Sequence, residues 1–274
     1  MEKNGSMVLV GCGRMGGALL EGWRARGLAM EKIWVVEPEP AIRLPLATPC
    51  VAPCTVASAA DLPADLHPEI VVFAVKPQSL EAVVPDYRRF ATTAVFLSIA
   101  AGRPLAWFAN TLGAEAALIR AMPNTPAAVQ RGMTVVCGNA RIDAARRALC
   151  TGLLEAVGAV TWIADENLMD AVTAVSGSGP AYVFLVVESL TRAGQAAGLP
   201  TDLAERLARQ TVIGAGELLA RAPEPAAVLR QNVTSPGGTT AAALAMLMDP
   251  KNGLDPLMTQ AVLAATARSR ELSR

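Results

Sequence analysis

The stretch Met7-Val-Leu-Val-Gly-Cys-Gly-Arg-Met-Gly16 decides the fold of this chain. Four apolar residues, typical of a short buried strand, run directly into a Gly-x-Gly-x-x-Gly pattern, and an amphipathic stretch follows at 15–26. Gly11 permits a tight turn, Gly13 lets a pyrophosphate approach the backbone, and Gly16 lets the helix pack on the strand. This order predicts a dinucleotide-binding βαβ unit. All six residues of the turn are expected to bind the coenzyme: Gly11, Cys12, Gly13, Arg14, Met15 and Gly16.

An acid, Glu37, ends the second expected strand about 20 residues beyond the end of this turn. A carboxylate there accepts hydrogen bonds from the adenosine ribose hydroxyls of NAD and repels the 2′-phosphate of NADP. Arg43 is near enough in sequence to swing in and bind a phosphate, and Ser58, after the expected third strand, offers another donor. The sequence therefore favours NADH and leaves NADPH open.

Further coenzyme contacts are expected where later strands end, because ligands bind beyond the carboxyl ends of parallel strands. Ala74-Val-Lys-Pro77 closes the most apolar strand, and Ser98-Ile-Ala-Ala-Gly102 and Met122-Pro-Asn-Thr-Pro126 follow two others. A surface lysine at a strand end is the alternative interpretation of Lys76. The expected coenzyme residues in these segments are Ala74, Val75, Lys76, Pro77, Ala100, Ala101 and Asn124.

The chain pattern predicts two domains. From residue 7 to about residue 163, short β-branched runs alternate with helical patterns, which predicts a Rossmann-type, doubly wound, mainly parallel α/β sheet covered on both faces. Beyond Asp165, alanine and leucine recur at helical spacing. We expect a dinucleotide-binding domain over residues 1–163 and an all-helical domain over 164–274. The helical part carries more apolar surface than it can bury alone, which predicts a homodimer; a self-contained bundle is the alternative.

Composition excludes several classes of function. The 274 residues are 52% apolar, and 24 basic residues balance 24 acidic ones, so neither nucleic acid nor an anionic membrane surface is an expected partner. No unbroken apolar run approaches about 18 residues, and Gly11 interrupts the first apolar stretch too early for a signal peptide. We therefore expect a cytoplasmic protein with no membrane partner.

The metal-binding and nucleophilic residue types are few. Five scattered cysteines with no CxxC spacing and a single histidine support neither a disulfide framework nor a zinc site, so no metal is expected. The one histidine, His67, lies in a polar turn before a strand, which is typical of a solvated loop residue. A mechanism that needs a catalytic histidine therefore has almost nowhere in this chain to find one.

The segment Asn232-Val-Thr-Ser-Pro-Gly-Gly-Thr-Thr240 leads straight into the apolar stretch 241–248. It predicts a helix amino terminus with hydroxyl caps, and its two glycines leave amides without side-chain cover. Together these features form a carboxylate-binding nest. An ordinary capped helix start fits the same residues.

Five motifs, in this order, resemble the pyrroline-5-carboxylate reductase family: Gly11-x-Gly13-x-x-Gly16, Ala74-Val-Lys-Pro77, Met122-Pro-Asn-Thr-Pro126, Ser176-Gly-Ser-Gly-Pro-Ala-Tyr182 and Val233-Thr-Ser-Pro-Gly-Gly-Thr-Thr240. The resemblance runs from near residue 7 to about 250, and the last two motifs are the most specific. It implies reduction of the cyclic imine 1-pyrroline-5-carboxylate to L-proline with NADPH or NADH. It also implies a helical dimerisation domain, active sites near the dimer interface and, as in several members, assembly of dimers into decamers.

Carried over residue by residue, the resemblance implies that Gly238, Thr239 and Thr240 hold the substrate carboxylate and ring nitrogen, with Asn232 and Glu166 nearby. The residues alone give Glu166 a second interpretation of equal weight: an acid in a first helical turn, where the helix dipole favours a negative charge. The segment Ser176-Gly-Ser-Gly-Pro180 is equally a packing break between helices. The chain departs from relatives that use NADPH, because they often have a small hydroxyl residue where it has Glu37.

The implied reaction needs little acid–base chemistry from the protein, since a protonated imine is already a good electrophile. The protein must hold the two reacting carbons about 3–3.5 Å apart and exclude water. We expect Thr240 to hydrogen-bond at the ring nitrogen as the catalytic residue. The alternatives are a broader imine reductase, a β-hydroxyacid dehydrogenase, whose expected lysine is absent from 166–198, and a non-catalytic NAD-sensing module.

Overall fold

The computed structural model describes residues 5–46 and 52–273. The chain divides into two compact units. The first consists of Met1–Gly177 together with Thr266–Arg274, and the second of Ser178–Ala265.

The first unit extends beyond the boundary expected between residues 163 and 164. Met169 is buried against Val135 and Cys137 of the sheet, and the Asp170 carboxylate accepts a hydrogen bond of 2.6 Å from the Ser269 hydroxyl. Such contacts hold the start of the helical region against the sheet, so the compact unit includes it.

Within the described residues, the first unit contains an eight-stranded sheet with the order β3-β2-β1-β4-β5-β6-β7-β8. The strands are β1 (Ser6–Val10), β2 (Ile33–Val36), β3 (Cys54–Val56), β4 (Pro68–Phe73), β5 (Val95–Ser98), β6 (Ala117–Met122), β7 (Gly132–Gly138) and β8 (Gly158–Trp162). Neighbouring strands are parallel except β6 and β7. The predicted doubly wound, mainly parallel sheet is confirmed.

The antiparallel pair follows from the length of its connection. Residues 123–131 join β6 to β7 and contain the short 3₁₀ turn Thr125–Val129. A parallel pair needs a crossover of a dozen or more residues, so this connection permits only the antiparallel arrangement.

The helices of the first unit cover the sheet on both faces. They are α1 (Arg14–Ala25), α2 (Pro40–Leu46), α3 (Leu80–Val83), α4 (Leu105–Leu112), α5 (Ala144–Leu154) and α6 (Met169–Val172), after which Thr173–Gly177 forms a π-helical turn. Alternate side chains of β1 enter different cores: Met7 and Leu9 pack in one, and Val8 and Val10 in the other. This is the period-2 alternation of a strand buried on both faces.

The strand order reverses beside β1. The chain runs outward from β1 through β2 to β3 and then returns to β4 on the other side of β1. In a doubly wound sheet, ligands bind beyond the carboxyl ends of the strands at such a switch point. The topology therefore predicts a ligand site beside the residues that follow β1 and β4.

The second unit is helical. It contains α7 (Gly179–Ala196), α8 (Thr201–Arg221), α9 (Ala226–Asn232), α10 (Thr239–Leu247) and α11 (Leu254–Leu272), the last turns of which belong to the first unit. Among its described residues the only fully buried apolar ones are Ala204 and Ala208. Large apolar side chains on it that are more than half exposed include Phe184, Ile213, Leu218, Met246, Leu257 and Leu263.

One helical stretch, Glu166–Ala196, is long and apolar enough to cross a membrane by length and composition, and only 6% of its apolar window is buried. Polar residues interrupt this stretch, so it contains no unbroken apolar run of the kind expected for a membrane span. The same composition is typical of helices that bury their apolar faces against another subunit.

Trp23 offers a test of the packing between α1 and α5. Its fully buried indole N–H donates to the Leu153 carbonyl at 2.9 Å. Trp23→Phe leaves that carbonyl without its donor and removes buried volume, so we expect the free energy of unfolding to fall by about 2–4 kcal/mol. Urea denaturation at one fixed protein concentration measures this change.

Trp34→Phe is the matched control, because the Trp34 indole N–H has no protein acceptor among the described residues and the side chain is only partly buried. Its cost should be smaller. Equal costs for the two substitutions would show that the Trp23 hydrogen bond contributes nothing.

Candidate functional site

The glycine-rich turn after β1 is tightly packed. Gly11 has φ +88°, and a Cβ on it would lie 2.9 Å from the Ala74 carbonyl oxygen. A Cβ on Gly16 would overlap the Gly11 carbonyl oxygen, whereas no atom lies within 4 Å of the corresponding position on Gly13. Gly11 and Gly16 are therefore required by the protein's own backbone, and Gly13 leaves open space for a ligand.

A cavity of 440 Å³ lies at the switch point, beside this turn. Small-molecule sites measure roughly 300–1,000 Å³. The cavity brings together seven of the residues expected at the coenzyme: Gly11, Gly13, Glu37, Ser58, Ala74, Val75 and Lys76.

Glu37 is fixed in the wall of the cavity. Its side chain is buried, one carboxylate oxygen accepts the Cys12 N–H at 2.7 Å, and the other accepts the Glu39 N–H at 3.0 Å. A carboxylate has about four acceptor positions, so two bonds leave capacity for ribose hydroxyls. The Arg43 guanidinium donates to the Glu37 backbone carbonyl at 3.1 Å, which keeps a cation near the same wall.

Ser58 lines the cavity, but its hydroxyl is used within the protein. It donates to the Asp61 carboxylate at 2.8 Å, and the Ser58 N–H donates to the same oxygen at 2.9 Å. The hydroxyl proton that the sequence suggested as a donor to the coenzyme is therefore already engaged, and only lone pairs of its oxygen remain.

The other expected coenzyme residues do not line this cavity. Cys12 and Gly16 are buried, Met15 packs against the core, and Arg14 is exposed at the first position of α1. Pro77 begins a short 3₁₀ helix after Lys76, whose side chain is exposed. Ala100 is buried and Ala101 half-buried after β5.

Burial disfavours the reactive thiolate form of Cys12 and Cys150. Burial, with smaller contributions led by the nearby Glu37 carboxylate, raises the pKa of the Cys12 thiol to about 11, and burial raises that of Cys150 to about 12. Both thiols therefore stay protonated at neutral pH. The described cysteines are free, and Cys50 lies outside the described residues. No metal-binding group of three or more ligand side chains occurs among the residues that the structure describes.

Asn124 lies after β6, at the edge where the sequence places it, and its amide has protein partners. The side-chain nitrogen donates to the Ser176 carbonyl and hydroxyl oxygens, both at 3.2 Å. The side-chain oxygen accepts the Met133 N–H at 2.8 Å. The amide hydrogens are thus engaged by Ser176, a partner that the sequence did not indicate.

Glu166 is occupied by a partner that sequence reasoning missed. One of its carboxylate oxygens lies 3.0 Å from the Arg120 guanidinium and also accepts the Leu105 N–H at 2.9 Å, which places a negative charge at the amino terminus of α4. The Arg120 side chain is only 8% exposed. A lone arginine within the otherwise apolar strand Ala117–Met122 is the signal for a buried ion pair.

In the second unit, the segment before α10 forms an uncapped helix amino terminus. Gly237 has φ +69°, and Gly238 is the N-cap residue, with no side chain accepting from the first turn. The hydroxyl cap expected from the sequence is absent, because the N-cap residue has no side chain. The first helical hydrogen bond runs from the Ala242 N–H to the Gly238 carbonyl. The amides of Thr239, Thr240 and Ala241 therefore remain free for an anion.

The other residues expected at the substrate flank this terminus. Asn232 is the last residue of α9 and is exposed, Thr239 is exposed, and Thr240 is half-buried at the second position of α10. The unit thus brings together open amides, two hydroxyls and an amide side chain on one short segment.

Comparisons with known proteins agree for the whole chain. A sequence model described as pyrroline-5-carboxylate reductase dimerisation matches residues 166–272, and one described as NADP oxidoreductase, coenzyme F420-dependent, matches residues 6–102. The pyrroline-5-carboxylate reductase of Pseudomonas aeruginosa is 39% identical over 97% of this chain and 96% of its own length. That of Synechocystis is 44% identical over 75% of this chain and 76% of its own.

Solved structures give the same result. A pyrroline-5-carboxylate reductase from Coxiella burnetii has a TM-score of 0.91 and 32% identity, covering 98% of this chain and 99% of the other. The Plasmodium falciparum pyrroline carboxylate reductase with NADP bound has a TM-score of 0.81 and 30% identity, covering 99% of both chains. The chain therefore belongs to the pyrroline-5-carboxylate reductase family.

Proposed function

We propose that this protein reduces 1-pyrroline-5-carboxylate to L-proline with a nicotinamide coenzyme. The observation that carries the proposal is the uncapped amino terminus of α10, where three amides are free to bind a small carboxylate. It lies in a segment that matches the family's dimerisation model. The family of the chain supports the same reaction.

The residues at the switch point fit a dinucleotide. Gly13 leaves the backbone open for a pyrophosphate, the amino terminus of α1 supplies amide donors, and Glu37 keeps acceptor capacity for ribose hydroxyls. When bound, the reduced nicotinamide supplies the hydride to the imine carbon. The protein's own part is to hold the coenzyme against the edge of the sheet and keep water out.

At the substrate, we assign the carboxylate to the free amides of Thr239, Thr240 and Ala241, beside Gly238. Binding there fixes which face of the ring is presented and thus the stereochemistry. Asn232 stands near this segment and is proposed to assist. Glu166 is proposed to contribute to the substrate site indirectly, through Arg120 and α4, because its carboxylate already bonds the Arg120 guanidinium and the Leu105 N–H.

Coenzyme oxidation in the presence of different substrates tests the reaction. Loss of absorbance at the reduced nicotinamide band with 1-pyrroline-5-carboxylate is the expected result, together with no gain of that absorbance when β-hydroxyacids are mixed with the oxidised coenzyme. Oxidation with many unrelated cyclic imines at similar kcat/KM would indicate a broader imine reductase. Tight NADH binding without any oxidation would indicate a non-catalytic sensor and overturn the proposal.

We also propose that NADH is the preferred coenzyme. The Glu37 carboxylate is buried and held by two backbone amides, so it cannot easily move away from a 2′-phosphate. Like charges at such a site repel. Arg43 is nearby but its guanidinium is directed to the Glu37 carbonyl. NADPH can still bind if the Arg43 side chain turns from the Glu37 carbonyl to the 2′-phosphate.

Glu37→Ser tests this preference. Removing the carboxylate removes the repulsion, so the ratio of kcat/KM for NADPH to that for NADH should rise by about 10- to 100-fold. Steady-state kinetics with both coenzymes measure the ratio. Glu39→Ser is the matched control, because Glu39 is an exposed acid two residues away and should leave the ratio nearly unchanged. An unchanged ratio in Glu37→Ser would remove Glu37 from coenzyme selection.

Thr240 is proposed as the catalytic residue, through a hydrogen bond at the ring nitrogen. Its hydroxyl stands at the second position of α10, beside the amides assigned to the carboxylate. Thr240→Val should lower kcat by about 10- to 100-fold, because one positioned neutral donor is lost while the shape is kept. Thr111→Val is the control, since that hydroxyl only donates to the Trp107 carbonyl within α4. Unchanged kcat and KM in Thr240→Val would exclude the role.

The helical unit is proposed to form a homodimer, and dimers to assemble further into decamers. Its large exposed apolar side chains and the dimerisation model that it matches support self-association. We place this assembly in the cytoplasm, in keeping with the free thiols of the described cysteines.

Light scattering coupled to gel filtration should give a mass of two or ten chains, and Tm should rise with protein concentration. A monomer of concentration-independent Tm would contradict the proposal.

A further inference from the structure

The Asn124 side chain joins two motifs that the proposed coenzyme and substrate sites do not explain. It links the loop after β6 to the π-helical turn Thr173–Gly177, through the Ser176 carbonyl and hydroxyl. The same amide holds the Met133 N–H at the start of β7. One side chain therefore ties its own loop to the backbone at two other points, Ser176 and Met133.

Pro180 explains why the Ser176 carbonyl needs a partner. In a regular helix that carbonyl accepts the N–H of the residue four positions later, and here that residue is a proline, which has no N–H. The proline ring also collides with the carbonyl of residue i−4, which is Ser176. The next backbone N–H along the chain, that of Ala181, donates to the Ser178 carbonyl at 3.0 Å and not to the Ser176 carbonyl. The Asn124 amide supplies the donor that the helix lacks at Pro180.

The π-helical turn Thr173–Gly177 lies shortly before this proline in the chain. Widening the helix before a proline moves the obstructed carbonyl outward, and such turns are frequent at functional sites. The turn also packs closely on the loop after β6, because a Cβ on Gly177 would lie 2.5 Å from the Met122 side-chain methyl. The two motifs are thus fitted to each other by a hydrogen bond and by contact.

We propose that Asn124 is a positioning residue for the reduction, acting through Ser176 and not through direct coenzyme contact. β6 is parallel to β5, β5 to β4 and β4 to β1, so the Asn124 loop stands at the same edge as the glycine-rich turn. By holding the π-helical turn, Asn124 fixes the backbone at that edge. This role rests on the proposed function, since it concerns the geometry of the hydride transfer.

The experiment is a double-mutant cycle between Asn124→Ala and Pro180→Ala. Asn124→Ala should lower kcat by about 10- to 100-fold through loss of alignment, while the Kd for NADH, measured by fluorescence, stays within about twofold. Pro180→Ala restores an N–H that can donate to the Ser176 carbonyl. In that background, Asn124→Ala should therefore cost clearly less in both kcat and Tm.

Asn139→Ala is the matched control. Asn139 also bridges backbone groups, since it donates to the Ala116 carbonyl at 2.8 Å and accepts the Leu118 N–H at 3.2 Å. None of its partners lies near residue 176, so its effect on Tm should be the same with Pro180 or with Pro180→Ala.

Equal effects of Asn124→Ala in both backgrounds would overturn the proposal. A Kd for NADH weakened tenfold or more with unchanged kcat would also overturn it, and would make Asn124 a coenzyme ligand. If Asn124→Ala does not fold, Asn124→Asp keeps the acceptor for Met133 and removes the donor, so the same comparisons apply. If the wild type does not reduce 1-pyrroline-5-carboxylate, the proposed function fails, and the Tm cycle still tests the Asn124–Pro180 coupling by itself.

Discussion

The close approach of the Gly11 turn to the end of β4 is the constraint on which the coenzyme site depends. The chain turns there with a positive φ, against the Ala74 carbonyl oxygen, and only a glycine has room. The turn aims the Cys12 N–H at Glu37, which fixes the carboxylate at the end of β2. A single steric condition thus sets the glycine-rich loop, the start of α1 and the acidic wall of the cavity.

The ends of two helices treat their unpaired backbone groups differently. At one end the protein supplies the hydrogen-bond partner, and at the other the groups stay available to a ligand. At Ser176 the carbonyl freed by Pro180 is closed by the Asn124 amide. At α10 the N-cap is Gly238, which has no side chain, and the first-turn amides stay open. Because an orphan amide in a protein needs a partner, an uncapped terminus is favourable only where water or an anion supplies it. This contrast separates a structural helix break from a binding segment.

What could be predicted from the sequence was local. The strand before Gly11, the glycines of the turn and the acid at the end of β2 each follow from residues close in the chain, and the mainly parallel sheet follows from their repetition. The partners of Glu166 and Asn124 could not be predicted, because Arg120 and Ser176 lie 46 and 52 residues away. Only the fold brings such groups together. The hydroxyl cap at α10 was wrong for another reason: several hydroxyl residues precede the helix, and backbone geometry selected Gly238 among them.

The apolar half of the composition is used differently in the two units. In the first, large side chains fill two cores on either face of the sheet. In the second, the only fully buried apolar side chains among the described residues are those of two alanines, while many leucine, methionine and phenylalanine side chains stay exposed. A helical unit whose interior contains only small residues gains little free energy from its own folding, since burial of large side chains supplies most of it. Its stability must come from covering that surface, so association and folding of this unit are expected to be coupled.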